Sequence, residues 1–260
     1  MSSVKKALAE FYDNVAQSYA YTRRRLWAPV SKVLPANRVL DIGSGPGLYA
    51  VDIADRFGAD VTCMDISVGM LKVAGRHARN RAVYPLINLV VADLEYTPFR
   101  NHSFDSVLCI ATIHHLPTRR SRVNGLKEIL RILKLNGKAL VTAWHIFQPR
   151  NLIRALISIP ESIFRGGAIG DVYIPWRHKG KLWKRFYHLY TLKELKRDAI
   201  DAGLDVIEKG YIKVRSKIAE NVYILAKASS SRQGKERSTY MCLLSAFFIN
   251  AILAWYSKVL

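Results

Sequence analysis

Three acids stand at the ends of three short apolar runs. Asp41 follows Val39-Leu40, Asp65 follows Val61-Thr62-Cys63-Met64, and Asp93 follows Ile87-Asn88-Leu89-Val90-Val91-Ala92. Behind the first acid, glycines occupy alternate positions, Gly43, Gly45 and Gly47, and a helical pattern opens at Leu48. Glycine belongs where the backbone must take a positive φ or come close to a ligand. The helix start behind it offers free N–H groups and the positive end of a dipole. An acid at the end of the second strand, about 20 residues after the glycine turn, is placed to accept hydrogen bonds from a ribose. The combination predicts a site for an adenosine-type ligand. The third glycine comes one residue too early for the G-x-G-x-x-G fingerprint, so no pyrophosphate cradle is implied.

A second set of residues is basic and aromatic. Thr112-Ile113-His114-His115-Leu116 directly follows an apolar strand, Ser103 to Ala111. Arg23-Arg24-Arg25 lies between Tyr21 and Trp27, and Arg177, His178, Lys179, Lys181, Lys184 and Arg185 crowd one later stretch. Each has two readings that stay open here. The histidines are ligand-facing or inert loop residues, and the arginines are a substrate-facing patch on a lid helix or a solvated turn.

Elements that could hold these groups follow from periodicity. Residues 4 to 34 read as helical, with Leu8, Phe11, Tyr12, Val15 and Tyr19 at helical spacing. Strands are expected at 38–42, 60–65, 87–92 and 103–111, and helices at 47–57, 68–81 and 121–133, with Gly58 as a C-cap. Asn136-Gly137 predicts a turn into a fifth strand, 138–144. Residues 145–185 fit no simple pattern, and a loop region of that length is usually functional or disordered. Thr191 with Glu194 reads as a capping box for a helix over 192–202, ended by Gly203. Strands at 205–214 and 221–227 then form an antiparallel pair closing the sheet. The expected fold is α/β, with helices on both faces of a largely parallel sheet. Its ligand sites lie at the carboxyl ends of the strands, where the singled-out residues fall.

Composition adds a partner class. The 260 residues carry 40 Lys and Arg against 20 Asp and Glu, a net charge of +20, which attracts a polyanion or an anionic membrane surface. Half the residues are hydrophobic, which argues against disorder. Cys63, Cys109 and Cys242 form no C-x-x-C pair, so neither a metal site nor a disulfide framework is indicated. Cysteine usage and the absence of an apolar run in Met1 to Glu10 fit a reducing cytoplasm. Residues 229–239 read as a polar linker after a domain over 1–228. Within 240–260, Tyr240 to Tyr256 is almost wholly apolar and sits at the short limit of a membrane span, so membrane association through this tail is one reading.

The D-x-G-x-G-x-G stretch resembles motif I of the class I S-adenosylmethionine methyltransferases, which have a Rossmann-like seven-stranded sheet. Further stretches resemble one branch, the wobble-uridine carboxymethyl tRNA methyltransferases that include the methyltransferase domain of AlkB homologue eight. These are Phe11-Tyr12 through Trp27, Ile113 to Arg120, Gly137 to Trp144, Asp171-Val172-Tyr173-Ile174-Pro175-Trp176 and Arg185-Phe186-Tyr187-His188-Leu189-Tyr190. Ser44 and Pro46 depart from that pattern. The resemblance covers roughly residues 10 to 227 and implies roles. Asp41, Gly43, Gly45 and Gly47 would hold S-adenosylmethionine, Asp65 the ribose hydroxyls, and Asp93 with Leu94 the adenine edge, with Ile66 a further cofactor-binding residue. His115, Arg23 and Arg119 would face the substrate, His115 or Arg23 gripping one carboxylate oxygen. Asp171, Trp176, Arg185, Tyr187 and His188 would build a substrate wall from the insert. The implied partners are tRNA and a small zinc-binding activator subunit covering the apolar edge of the sheet. The alternative is a membrane-associated methyltransferase of a quinone or lipid.

Overall fold

The sheet order explains why the three acids meet. In the computed structural model, which describes residues 2–22, 25–149, 151–155, 157, 167–214 and 218–228, seven strands run in the order β3-β2-β1-β4-β5-β9-β8. β1 (Arg38–Ile42), β2 (Asp60–Asp65), β3 (Ile87–Val91), β4 (Phe104–Ile110) and β5 (Leu133–Trp144) pair in parallel. β9 (Asn221–Ala228) is inserted antiparallel between β5 and β8 (Leu204–Ile212). The chain leaves β1 for β2 on one side and later returns to β4 on the other. Residues at the carboxyl ends of β1, β2 and β4 therefore surround a crevice at the point where strand order reverses.

Helices cover both faces, and each has a chemical start or stop. On one face, α2 (Leu48–Phe57) and α3 (Val68–Asn80) bury Ile53, Leu71 and Ala74 against Val39, Val61 and Leu108. On the other, α4 (Arg119–Ile132) and α5 (Leu192–Ala202) bury Leu126, Ile129, Leu195 and Ala199 against Leu40, Val141 and Ile224. Gly58 ends α2 in the left-handed conformation, its N–H returning to the Ala54 carbonyl. Ser67 caps α3 by accepting from the Met70 N–H, Thr118 caps α4 from Ser121, and Thr191 caps α5 from Glu194. Cys63 and Cys109 are fully buried core residues.

Three sequence expectations change. The helical stretch over 4–34 is divided: α1 (Ser3–Thr22) ends before the arginines, and the chain resumes as one 3-10 turn at Val30–Val33. Asn136-Gly137 makes no turn, because β5 runs unbroken from Leu133. A Cβ on Gly137 would stand 2.8 Å from the Asp105 carbonyl, so glycine serves a close strand approach beside the register shift at Phe104/Ser106. The patternless stretch contains a hairpin, β6 (Asp171–His178) and β7 (Lys181–His188). Lys179 and Gly180 turn it with φ of 46° and 77°, the paired positive values that a two-residue hairpin turn demands. Arg23, residues 158–166 of the insert, the 229–239 linker and the 240–260 segment lie outside the described residues. Among the described residues no helix is long and apolar enough to cross a membrane.

Candidate active site

Gly43 and Gly45 shape the site first. Gly43 has φ +64°, and a side chain there would collide with Thr112, whose hydroxyl donates to the Ile42 carbonyl. Gly45 has φ +53° and open space where a Cβ would be, so the turn leaves a bare backbone wall. Asp65 fixes that wall: one carboxylate oxygen accepts the Gly45 N–H at 2.8 Å, the other the Ser67 N–H at 2.9 Å. Gly47 has a different task, since its missing side chain lets α2 pack on Ala74 of α3, where a Cβ would come within 2.7 Å.

The cavity beneath this turn is lined by Asp41, Gly43, Gly45, Asp65, Ile66, Asp93 and Leu94, so seven of the eight expected cofactor residues converge and Gly47 lies behind them. Asp41 is 2% exposed, and its Oδ2 has no hydrogen-bond partner. Burial, with the neighbouring Asp65, pushes its carboxyl up to about 8. Burial raises Asp65 to about 6 against the backbone N–H groups that favour its ionised form. An unpaired buried carboxyl oxygen is costly unless a ligand donor meets it. The donor set fits an S-adenosylmethionine: Asp41 for a cationic ammonium, Asp65 for a diol, and Asp93 for an amino-bearing ring over apolar Ile66 and Leu94.

α1 forms the lid of this cavity, and it carries a residue the sequence reading missed. Lys5, Tyr12 and Tyr19 recur every seven residues, two helical turns, and all three line the cavity. Lys5 is 4% exposed; its Nζ lies 2.5 Å from Asp93 Oδ2 and also pairs with Glu95. A lysine on the otherwise apolar stripe with Leu8 and Phe11 was the available signal. Asp13 ties the same helix down by accepting from Ser67 Oγ and from the Gly69 N–H, each at 2.7 Å. Trp27 and Ala28 N–H groups both donate to the Tyr49 hydroxyl, anchoring the segment after the lid.

A second cavity adjoins the first through Tyr12, Tyr19, Arg25, Trp27 and His115. Its further wall comes from distant segments: His114, Trp144, Asn151, Arg154, Tyr187 and Asn221. Trp144 and Tyr187 stack with centroids 4.5 Å apart at 16°. His115 Nδ1 donates to the Phe186 carbonyl at 3.1 Å, which leaves Nε2 to accept from the Tyr12 hydroxyl at 3.2 Å. Burial lowers this imidazole to about 4, so it is neutral at physiological pH. His114 is likewise held well below the ordinary value by burial, and its Nδ1 accepts the Trp144 N–H. A neutral His115 whose one N–H is already committed cannot grip a carboxylate oxygen in the way the sequence suggested.

Arg185 sits directly behind this wall, 4% exposed, in a box of aromatic rings. Its guanidinium carbon lies 5.0 Å from the Phe11 ring centroid, 4.9 Å from Trp176 and 5.3 Å from Tyr187. Nη1 donates to the Tyr187 hydroxyl at 2.7 Å, and Nε has no partner. Among the described residues no carboxylate forms an ion pair with it. Of the expected substrate residues, Tyr187 lines the second cavity, while Trp176 and Arg185 pack behind it. Arg119, Asp171 and His188 are elsewhere. Arg119 pairs with Asp198 at 2.9 Å and with Asp201 on α5. His188 is fully buried, with Nδ1 2.6 Å from Asp171 and Nε2 2.9 Å from Glu194. Glu194 also completes the capping box with Thr191: its N–H donates to Thr191 Oγ1, and its carboxylate accepts the Thr191 N–H while pairing with His188.

Comparison with known proteins agrees with this geometry. Residues 40–141 match the family described as methyltransferase domain. A protein of Encephalitozoon cuniculi that bears the name methyltransferase is 33% identical over 210 residues, covering 77% of this chain and 88% of its own. A tRNA (carboxymethyluridine(34)-5-O)-methyltransferase of Schizosaccharomyces pombe is 28% identical over 228 residues, covering 78% of this chain and 90% of its own. A ubiquinone/menaquinone biosynthesis C-methyltransferase of Stenotrophomonas maltophilia is 29% identical over 150 residues, covering 53% and 58%. A solved S-adenosylmethionine-dependent methyltransferase of Methanosarcina mazei superimposes with a TM-score of 0.66 at 21% identity, covering 79% of this chain and 99% of its own, which is a likeness of fold. With its glycine turn, three strand-end acids and reversed strand order, the chain belongs to the class I S-adenosylmethionine-dependent methyltransferases.

Proposed function

We propose that this enzyme methylates a carboxylate oxygen of a carboxymethyl group on the wobble uridine of tRNA, giving the methyl ester. One observation carries the reading: Arg185, a buried cation beside the second cavity that no described carboxylate balances. An uncompensated buried charge is expensive, and an anion arriving in the adjacent cavity offsets it. A quinone or lipid acceptor would do nothing for Arg185. The tRNA-modifying relative also matches 78% of this chain, against 53% for the quinone enzyme. The net charge of +20 suits an RNA partner.

When bound, S-adenosylmethionine supplies a methyl group on a sulfonium, a carbon that an oxygen anion can attack directly. A carboxylate with a pKa of about 4 is already ionised at neutral pH, so no residue has to take a proton. His115 is accordingly neutral. We assign it, with Tyr12, to shaping the junction between the cavities rather than to general-base work. Tyr12, Tyr19 and Trp27 border both cavities and would exclude water from the line of transfer. Arg185 would attract the acceptor through Tyr187 without forming a direct ion pair that blunts the nucleophile. Arg23 remains proposed as a second anion contact from the segment after α1.

β3 is an edge strand of the sheet and leaves Leu89 and Val91 exposed. An open apolar edge calls for a cover, which fits a small zinc-binding activator subunit. The test is methyl transfer from labelled S-adenosylmethionine to bulk tRNA lacking the terminal ester, digested to nucleosides, with and without that subunit. Label in a base-labile uridine ester is expected. Label in a base-stable nucleoside would discard the carboxylate mechanism. No label in RNA, with cofactor binding intact, would return the reading to a quinone or lipid acceptor.

A further inference from the structure

Asn221 stands out among the residues that line the acceptor cavity. It is 5% exposed, and its Oδ1 has no hydrogen-bond partner. The other buried carboxamide in this wall, Asn151, is satisfied: its Nδ2 donates to the His145 carbonyl at 3.1 Å and to Gln148 Oε1 at 2.8 Å. Two neighbouring amides of one type thus differ in state. One is locked into the protein, and the other keeps its buried carboxamide oxygen without a partner.

The sheet decides what Asn221 stands beside. It is the first residue of β9 and lies directly opposite Trp144 of β5 in the antiparallel register. Directly opposed residues of an antiparallel pair carry their side chains on the same face, with Cβ atoms about 4.5–5.5 Å apart. Trp144 stacks on Tyr187, so the carboxamide borders a flat aromatic wall. A planar ring lying along such a wall would bring its edge to the amide. A carboxamide offers one acceptor and one donor side by side, and its terminal torsion is soft enough to present both. The complementary edge has an N–H next to a carbonyl, which is the imide edge of uracil.

We propose that Asn221 is a specificity-determining residue that reads the imide edge of the acceptor's uracil ring, its oxygen accepting the N3–H and its amide donating to the adjacent carbonyl. This rests on the uridine acceptor reading above and adds how the ring is recognised. Asn221 takes no part in the bond-forming step. It sets the ring's angle, so that the group on C5 points toward the first cavity.

The experiment uses the full chain and two synthetic anticodon stem-loops, one with 5-carboxymethyluridine and one with its N3-methylated analogue. N3 methylation deletes the donor that Asn221 would receive. On the unmethylated substrate, Asn221→Ala is expected to lower kcat/KM by roughly 10- to 100-fold. The wild-type enzyme should lose a similar factor on the N3-methylated substrate, and the variant should then lose little more, since both changes remove one interaction. S-adenosylmethionine affinity and thermal midpoint, measured alongside, should match the wild type. Asn221→Gln, which keeps the amide, should recover part of the activity. Independent, multiplying losses from the two changes, or an Asn221→Ala enzyme as active as the wild type, would overturn the assignment while leaving the uridine reading standing. A wild-type enzyme that binds cofactor but turns over neither stem-loop, both with and without the small zinc-binding subunit, would overturn both.

Discussion

The cofactor cavity and the acceptor cavity share a border and are built in opposite ways. The first takes most of its polar groups from strand ends and one glycine turn, between Asp41 and Asp93, and backbone N–H groups hold them in place. The second gathers Tyr12, His115, Trp144, Tyr187 and Asn221 from five separate segments and positions them by ring packing. Backbone geometry tolerates little change. A wall of packed side chains can be rebuilt one residue at a time, which suits the part that distinguishes one acceptor from another. The comparison predicts that damage to the turn is severe and general, whereas damage to the wall is selective for the acceptor.

Gly43→Ala should produce the largest effect. It combines a positive φ with a Cβ 2.8 Å from that of Thr112, so either the turn or β4's end must move. Cofactor binding should vanish in calorimetry, and stability should fall by about 3 kcal/mol or more. Gly45→Ala separates folding from binding. Nothing occupies the space of its Cβ, so the cost to stability is limited to about 1–2 kcal/mol of left-handed strain. The new methyl group nonetheless stands on the cavity wall, and cofactor affinity should weaken by roughly tenfold or more.

The pH dependence of cofactor binding comes next. The Asp41 carboxyl is raised to about 8 in the free protein, chiefly by burial. A cationic ammonium pairs with its ionised form, so binding below pH 8 releases a proton. Affinity should therefore climb by up to about tenfold per unit as pH rises toward 8, then level off. Asp41→Asn should bind weakly with no such slope.

Arg119→Ala should have the smallest effect. Its side chain is 45% exposed and pairs with Asp198 and Asp201 away from both cavities. Stability should change by about 0–1 kcal/mol and kcat/KM for RNA should not change. A selective loss of RNA turnover would move Arg119 into the acceptor site. His188 supplies a second check on the same side of the molecule. Burial alone would lower its pKa, but Asp171 and Glu194 outweigh burial and raise it. A raised folded pKa means stability that is fully present below about pH 6.5 and lost as pH rises through the folded value. A thermal midpoint that falls across that window in the wild type, but not in His188→Gln, would place the imidazolium as a structural tie.

This contrast also explains what the sequence made legible. The glycine turn and the strand-end acids are local signals, separated by short regular units, so the succession of strands and helices could be read directly, whereas the order of the strands in the sheet came only with the structure. Lys5 was missed because nothing near it in sequence announces Asp93, 88 positions away. The hairpin β6–β7 was missed because its basic residues and Pro175 obscured alternation, and its turn is Lys179-Gly180 rather than a common turn pair. Arg119, Asp171 and His188 were assigned by resemblance, and motif membership does not reveal whether a polar side chain faces a cavity or a neighbouring helix. Asn221 carries no sequence signal. Only the register of β9 against β5 places it beside Trp144.

The most direct test of the account is a competition between two uridine stem-loops differing only at the C5 substituent, carboxymethyl against the uncharged carbamoylmethyl. Binding to the wild-type enzyme and to Arg185→Met would be measured, with S-adenosylhomocysteine present. If Arg185 draws in an anionic acceptor, the wild type prefers the carboxylate by roughly tenfold or more, and the preference collapses in Arg185→Met while cofactor affinity holds. Equal binding of the two stem-loops by the wild type, or an undiminished preference in the variant, would contradict the claim that this buried cation selects a carboxylate for methylation.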